Sequence, residues 1–384
     1  MSKAKDALPP RILHLHSTFD AGGKELRCAR LINAFGPKVH HSIVSAVDGA
    51  YGASSAIAQG ANVSYPKEFP SLQGRPTPGR LQTIAKRMAA HSLVLTYNWG
   101  AMDAVMAHTL FKDALGLPPL IHHEDGFGED EATKRKWLRT WFRRIALGKS
   151  NGLVVPSETL EGIALEEWQQ PIGRVKRIAN GIDTKAFGKT PRKDALRGVV
   201  KHDGEFWVGT LAGLRAVKNL PALVRAFAGL PEPWQLVIVG EGPQEQAIRA
   251  EAERLDISHR VHLPGFAPDP ARYVGLFDIF ALSSDSEQFP ISVVEAMAAG
   301  LPVAAPAVGD IADMVSTQNA PFIAPCGQPE ALSQALASLA SDAALREQVG
   351  AANRERARAE YDEKQMIASY RRLYSSAMGR DSLP

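Results

Sequence analysis

Short apolar runs alternate with longer amphipathic stretches along nearly the whole chain, and this alternation restricts the fold more than any other feature. Alternating strands and helices give a parallel sheet covered on both faces. The run Arg11-Ile12-Leu13-His14-Leu15-His16 reads as a buried strand. A loop over 17–23 follows, then a helix over 25–35 stopped by Gly36-Pro37. Further strands are expected near 40–46, 61–65, 91–96, 118–122 and 151–156. A turn-rich stretch over 184–206 interrupts the series. A second one begins, with strands near 206–212, 235–239, 260–263, 278–282 and 302–305. The segment 361–378 reads as one helix with Met366, Ile367, Tyr370, Leu373 and Tyr374 on one face. The expectation is an α/β chain of two doubly wound, Rossmann-like domains facing a cleft, at 1–185 and 186–360, with a crossover helix and tail at 361–384. Open sheets of this kind take ligands outside the carboxyl ends of their strands, so functional residues belong in strand-to-helix loops.

Composition excludes several classes. Hydrophobic residues make up 45% and charged residues 22% of 384, too apolar for a disordered chain. Two cysteines, Cys28 and Cys326, rule out a disulfide scaffold and a multi-cysteine metal site. No apolar run approaches the roughly 20 residues of a membrane span. The run Met1-Ser2-Lys3-Ala4-Lys5-Asp6 lacks a signal-peptide core, so a cytoplasmic location is expected. Residues 1–190 carry 25 Lys/Arg against 17 Asp/Glu (+8), and the remainder 19 against 24 (−5). The first half therefore suits a more anionic neighbour.

The most informative segment is Glu287-Gln288-Phe289-Pro290-Ile291-Ser292-Val293-Val294-Glu295-Ala296-Met297-Ala298-Ala299-Gly300. Pro290 suits a helix start and Gly300 its stop. Glu287 then precedes the helix and Glu295 lies inside it, about 7–8 Å along from Pro290. Two carboxylates so placed can each hold a vicinal diol, and free N–H groups between them suit a diphosphate. Taken singly, they could equally be solvated surface groups. After an earlier strand stands Gly213-Leu214-Arg215-Ala216-Val217-Lys218-Asn219, where Arg215 and Lys218 could neutralise a diphosphate leaving group. The pair of glycines in Val239-Gly240-Glu241-Gly242-Pro243 is a poor dinucleotide fingerprint, since a third glycine is missing. His14, His16, His122 and His123 lack helical zinc spacing, so no metal site is expected.

With these motifs the chain resembles the family-4 glycosyltransferases of GT-B fold, whose signature is a glutamate, seven residues and a second glutamate. Gly22-Gly23-Lys24-Glu25, Val155-Pro156-Ser157 and Asn180-Gly181-Ile182-Asp183 add to the likeness. The resemblance implies a retaining, metal-independent hexosyltransferase with no cofactor beyond its nucleotide-diphosphate-sugar donor, a uridine diphosphate sugar being favoured. It implies that Glu295 holds the ribose, Glu287 the donor sugar, and Arg215 and Lys218 the diphosphate. Gly22 and Gly23 would approach the donor through backbone allowed by positive φ. His122 would face sugar and acceptor, with His123 in reserve. Two positions depart from the family pattern: Gly213 stands where a basic residue is common, and Gln288 where a glycine is common. Front-face attack, with the departing phosphate taking the acceptor proton, is the implied mechanism. The acceptor would be a cell-surface glycan, glycolipid or lipid-linked sugar.

The segment Lys134-Arg135-Lys136-Trp137-Leu138-Arg139-Thr140-Trp141-Phe142-Arg143-Arg144-Ile145 reads as a helix. Trp137, Leu138, Trp141, Phe142 and Ile145 share one face, while Arg135, Lys136, Arg139 and Arg143 share the other. The plain expectation packs the aromatic face on the sheet and solvates the basic one. A sharper one sets the basic face on an anionic membrane surface, at the inner side of the cell membrane. Nucleic acid is not expected, because the basic and aromatic residues cluster on one helix. Two other readings stay open: an epimerase or hydrolase of nucleotide sugars, and a non-catalytic nucleotide-sugar-binding protein.

Overall fold

The computed structural model describes residues 9–131 and 135–383; Met1 to Asp6 and Lys134, singled out above, lie outside them. The chain forms two compact units. Unit 1 runs to Ala179 and resumes at Met366; unit 2 spans Asn180–Gln365. The first boundary precedes the expected one because Ile182 pairs with Asp362 in an isolated parallel bridge, which draws residues 180–185 into unit 2.

Unit 1 contains β1 (Arg11–His16), α1 (Gly23–Phe35), β2 (His40–Ser45), β3 (Val63–Ser64), α2 (Pro78–Met88), β4 (Leu93–Tyr97), α3 (Met102–Leu115), β5 (Leu120–His123), α4 (Trp137–Ala146), β6 (Gly152–Val155), α5 (Glu158–Glu166) and β7 (Val175–Arg177). The strands form one parallel sheet in the order β3-β2-β1-β4-β5-β6-β7. The central strands β4 and β5 are buried from end to end, and β1 from Ile12 onward, as a sheet covered on both faces requires. Local chemistry sets the helix ends: Ser157 caps α5 by accepting from the Leu160 N–H at 3.1 Å, and Gly116 ends α3 in the left-handed region.

Unit 2 contains β8 (Phe206–Leu211), α6 (Leu220–Ala228), β9 (Trp234–Val239), α7 (Glu245–Arg254), β10 (Val261–Gly265), β11 (Ile279–Ala281), α8 (Ile291–Ala299), β12 (Val303–Pro306), α9 (Ile311–Met314), β13 (Ile323–Ala324), α10 (Pro329–Ser341) and α11 (Ala343–Glu360). Its parallel sheet runs β10-β9-β8-β11-β12-β13. The last helix, α12 (Glu363–Met378), joins unit 1, where Met366, Tyr370, Tyr374 and Met378 enter an apolar cluster with Ile12, Ile32, Phe35 and Leu95.

Each sheet reverses strand order once, between β1 and β4 in unit 1 and between β8 and β11 in unit 2. A crevice opens at such a reversal, beyond the carboxyl ends of the strands. The loops at these two places are therefore where each unit can hold a ligand.

Candidate functional site

In unit 2 the reversal brings together residues 212–219, after β8, and 282–290, after β11. The first loop rests on a backbone seat. A Cβ on Gly240 would stand 1.9 Å from the Ala212 carbonyl oxygen, and one on Gly242 2.6 Å from that of Leu214. The Leu214 N–H donates to the Glu241 carbonyl at 2.9 Å, and the Gln244 N–H to that of Leu214 at 2.9 Å. The glycine pair thus serves close packing of two loops.

Polar contacts tie the two loops together. Asn219 sits in the left-handed region, and its Nδ2 donates to Asp285 Oδ1 at 2.9 Å. The Asp285 N–H donates to the Val217 carbonyl at 2.9 Å, and Ser283 Oγ to the Lys218 carbonyl at 3.0 Å. Within this frame Lys218 Nζ donates to Glu287 Oε1 at 2.5 Å, and Ser284 Oγ to the same oxygen at 2.7 Å. Both members of the pair are largely buried. Glu287 Oε2 carries no hydrogen bond among the described residues, so one acceptor oxygen is left for a ligand.

The backbone behind Glu287 is also fixed. Gly309 has φ +57°, and a Cβ there would lie 2.4 Å from the Glu287 carbonyl oxygen. The Asp310 N–H donates to the Gln288 carbonyl at 3.0 Å. The helix α8 starts after Pro290 without a side-chain cap, and Glu295 lies half-buried in its second turn. Burial pushes the Tyr273 phenol up, and the charge of Glu295 adds to that shift, so the carboxylate lies within electrostatic reach of Tyr273. Arg215 is exposed at the edge of the first loop. The structure joins Lys218 to Glu287 directly and leaves Arg215 and Glu295 as flanking groups.

In unit 1 the reversal brings residues 17–22 beside 98–101; a Cβ on Gly100 would fall 2.3 Å from that of Ser17. The glycine pair differs from expectation. Gly22 is extended, with φ −147°, and caps α1, while Gly23 is its first residue. Neither needs positive φ, because the chain enters the helix directly. The Gly22 carbonyl accepts from the Leu26 N–H at 2.9 Å. Lys24 pairs with Glu25, and burial pulls its ammonium down to about 8. Arg27 forks onto Asp125, with Nη2 to Oδ2 at 2.9 Å, and lies over the Tyr370 ring at 5.6 Å. Burial works against both charges, yet each holds its partner ionised.

The structure also departs from expectation at His122. Its imidazole is 0% exposed, because β5 is a central strand covered on both faces. Nδ1 lies 2.8 Å from Thr96 Oγ1, and Nε2 stands 3.7 Å from Glu124 Oε2 without a hydrogen bond. His122 thus orders the interior rather than presenting a ring at the surface. His123 is buried too. Its Nδ1 donates to the Thr96 carbonyl at 3.2 Å, which leaves Nε2 to accept from the Tyr374 hydroxyl at 2.8 Å. Burial draws its pKa down to about 3.

The helix α4 lies the opposite way round from the plain expectation. Trp137, Leu138, Trp141 and Ile145 are 69%, 62%, 54% and 55% exposed. Only Phe142 of the aromatic face turns in, against Trp99 at 5.7 Å. The cations are spent on nearby acids. Arg135 pairs with Glu167, Lys136 with Asp130 at 2.6 Å, and Arg139 with Asp130 and with Glu131, the latter at 2.9 Å. Arg143, expected on a solvated face, is 1% exposed between Glu124 and Glu131, at 3.4 and 3.3 Å. An unpaired guanidinium or carboxylate in the interior would cost far more than a solvated tryptophan, and the two Glu side chains fix the helix's rotation.

Residues 192–356 match the family model described as glycosyl transferases group 1. Among curated proteins, the chain is 23% identical over 217 residues to an N-acetyl-alpha-D-glucosaminyl L-malate synthase of Bacillus anthracis, covering 56% of this chain and 57% of that one. It is 27% identical over 223 residues to a GDP-mannose-dependent alpha-mannosyltransferase of Mycobacterium tuberculosis, covering 56% of each. The chain spans about half the length of the curated relatives it matches. Among solved structures, HepE of Anabaena in complex with UDP superposes with a TM-score of 0.77 at 19% identity, over 95% of this chain and all of that one. The fold is that of the GT-B glycosyltransferases. Among the described residues, no helix is long and apolar enough to cross a membrane.

Proposed function

We propose that the protein is a glycosyltransferase that moves a hexosyl group from a nucleotide-diphosphate sugar to an acceptor hydroxyl. The observation that carries this reading is the Lys218–Glu287 pair, fixed by Ser284 at the strand reversal of unit 2, inside the segment that matches the family model. Lys218 and Arg215 meet the diphosphate, and the uncapped start of α8 adds N–H donors. Glu287 accepts from a donor-sugar hydroxyl through Oε2, and Glu295 holds the ribose. These cations and dipoles stabilise charge developing on the leaving diphosphate, so transfer needs no metal ion. Front-face attack with retention, the departing phosphate taking the acceptor proton, is the mechanism in keeping with this reading.

A uridine diphosphate sugar is the favoured donor. Support comes from HepE, solved with UDP and with UDP-glucose, while the mannosyltransferase relative keeps GDP-mannose in contention. Thermal shift against a panel of nucleotide sugars identifies the donor, since a ligand of the native state raises its apparent stability. Turnover with an acceptor, unchanged by EDTA, with an α-linked product from an α-linked donor, is the expected result. Donor consumed equally without acceptor would instead mean a hydrolase or epimerase. Donor bound without any turnover would mean a binding protein.

The acceptor is proposed to be presented at a lipid surface, on one observation: the exposed ridge Trp137, Leu138, Trp141 and Ile145. Aromatic and aliphatic groups of this kind enter the headgroup boundary of a bilayer. With Arg135, Lys136, Arg139 and Arg143 already paired, the apolar ridge rather than net charge would drive contact. Co-sedimentation with vesicles should then survive high salt and fall in Trp137→Ser/Trp141→Ser. Binding abolished by salt alone would refute the ridge as the contact.

A further inference from the structure

The interior of unit 1 holds a second cluster that the transfer reaction does not use. Beneath the strand reversal, β1 contributes His14 and His16, β2 His41, β4 Tyr97 and α1 Cys28. All five are buried. One donor atom each from His14, His16 and Cys28 lies within 4.8 Å of the others. His14 Nδ1 stands 3.4 Å from Cys28 Sγ and 3.1 Å from the Tyr97 hydroxyl, which is 3.7 Å from the same sulfur. With bonds of roughly 2.0 Å to nitrogen and 2.3 Å to sulfur, two such ligands of a tetrahedral ion stand about 3.5 Å apart. The His14–Cys28 edge already has that length.

A second observation is independent of these distances. Among the described residues, neither ring nitrogen of buried His16 has a hydrogen-bond partner, nor has His41 Nε2. Interiors rarely leave polar atoms so, and each calls for an explanation. The His16 ring lies flat on Tyr97, with centroids 3.9 Å apart, so it is held in place by stacking while neither nitrogen is engaged. His14 Nε2 meets His41 Nδ1 at 2.9 Å. If Nε2 carries the proton, His14 Nδ1 keeps its lone pair for the side where Cys28 lies. An outer partner that fixes ring and tautomer is what a metal-binding histidine has.

We propose that His14, His16 and Cys28 form a buried site for a soft, thiophilic monovalent cation of the Cu(I) class, with the Tyr97 hydroxyl hydrogen-bonded to the sulfur. The ligand set decides the class: sulfur with imidazole selects soft or borderline ions. Charge decides the valence. One thiolate and two neutral imidazoles cancel a single positive charge, whereas a divalent ion leaves one charge uncompensated in a desolvated interior near Lys24 and Arg27. On binding, the Cys28 S–H bond breaks, its proton leaves to solvent, and the sulfur bonds to the ion. The ion would pin β1 to α1 beneath residues 17–22.

The test is an anaerobic titration of the full chain with Cu(I) against a chromophoric Cu(I) chelator, with zinc sulfate in parallel. Variants are Cys28→Ala, His16→Phe and, as a control on the exposed thiol, Cys326→Ala. One equivalent of Cu(I) should be retained by the parent and by Cys326→Ala, with a raised melting temperature, and lost at least tenfold in affinity by the other two. His16→Phe keeps the ring stack and removes only unpartnered nitrogens, so it should melt at or above the metal-free parent. Loss of binding in that variant is then not loss of fold. No retained equivalent, undiminished binding by His16→Phe, loss in Cys326→Ala, or stoichiometric zinc without Cu(I) would each overturn the proposal.

Discussion

The two units share one topology, a parallel sheet with a single reversal, yet they fill it differently. Eight of the 11 histidines lie in unit 1, and His14, His16, His41, His108, His122 and His123 are buried there. Unit 2 has three, His202, His259 and His262, none of them buried. Unit 1 carries its polar groups inside, as histidine contacts and the ion pairs of Arg27 and Arg143. Unit 2 keeps a neutral buried network, Asn319 and Asn353 with Ser316, and places the Lys218–Glu287 pair at the strand ends. A doubly wound sheet therefore tolerates a titratable interior without demanding one.

The largest expected effect follows from the histidines. Burial lowers His41 and His123 to about 3 and His91 and His108 to about 4, and sets His14 and His16 well below the ordinary value of 6.5. Their folded-state pKa values lie below the unfolded one, so the unfolded chain binds protons first as pH falls. The stability they contribute is complete above about 6.5 and is lost on the way to 4. Each such group steepens the loss as pH falls, because the unfolded chain takes up a proton that the buried ring refuses. Hydrogen exchange followed by mass spectrometry at stepped pH should show unit 1 peptides losing protection above pH 4 while unit 2 peptides keep theirs. Simultaneous loss in both units would erase the contrast.

Next in size is the Lys218–Glu287 pair. Lys218→Ala should lower kcat/KM for transfer by about 10²–10³-fold, the scale of removing one preorganised charge from a developing anion. Glu287→Gln keeps the Ser284 contact and should lose less. Because the two side chains share one hydrogen bond, the double variant should fall short of the summed effects. Additive losses would mean that the pair does not act as a unit, and unit 2 would lose its distinctive feature.

Much of this was legible in the sequence, for local reasons. The apolar runs of β1, β4, β8 and β9 and the turn residues behind them report on neighbours in sequence, and so do Lys218 and the Glu287–Glu295 spacing. What escaped depends on distant partners. Arg27 meets Asp125 across 98 residues, and Cys28 meets Tyr97 across 69. The edge strands β7 and β13 are too short to show a period. The period of α4 set Trp137, Leu138, Trp141 and Ile145 apart from Arg139 and Arg143, but the inward side was misassigned. That side was decided by Glu124 and Glu131, whose charges had to be matched.

The smallest effect separates backbone seating from side-chain chemistry in unit 2. Gly309→Ala introduces a Cβ at φ +57°, 2.4 Å from the Glu287 carbonyl oxygen and 2.8 Å from that of Gln288. Gly327→Ala introduces one at φ +75° with nothing within 4 Å. Both carry the left-handed strain of about 1 kcal/mol, but only the first must displace a backbone, for roughly 1–3 kcal/mol more. The displaced segment is the one that carries Glu287, so the Gly309 variant should also raise KM for the donor several-fold, while the Gly327 variant leaves it unchanged. Denaturant melts and donor saturation curves on the two variants measure both differences. Equal melting losses and equal KM values would show that the loop after β12 does not hold Glu287 in place, and that its contacts with Lys218 and Ser284 suffice.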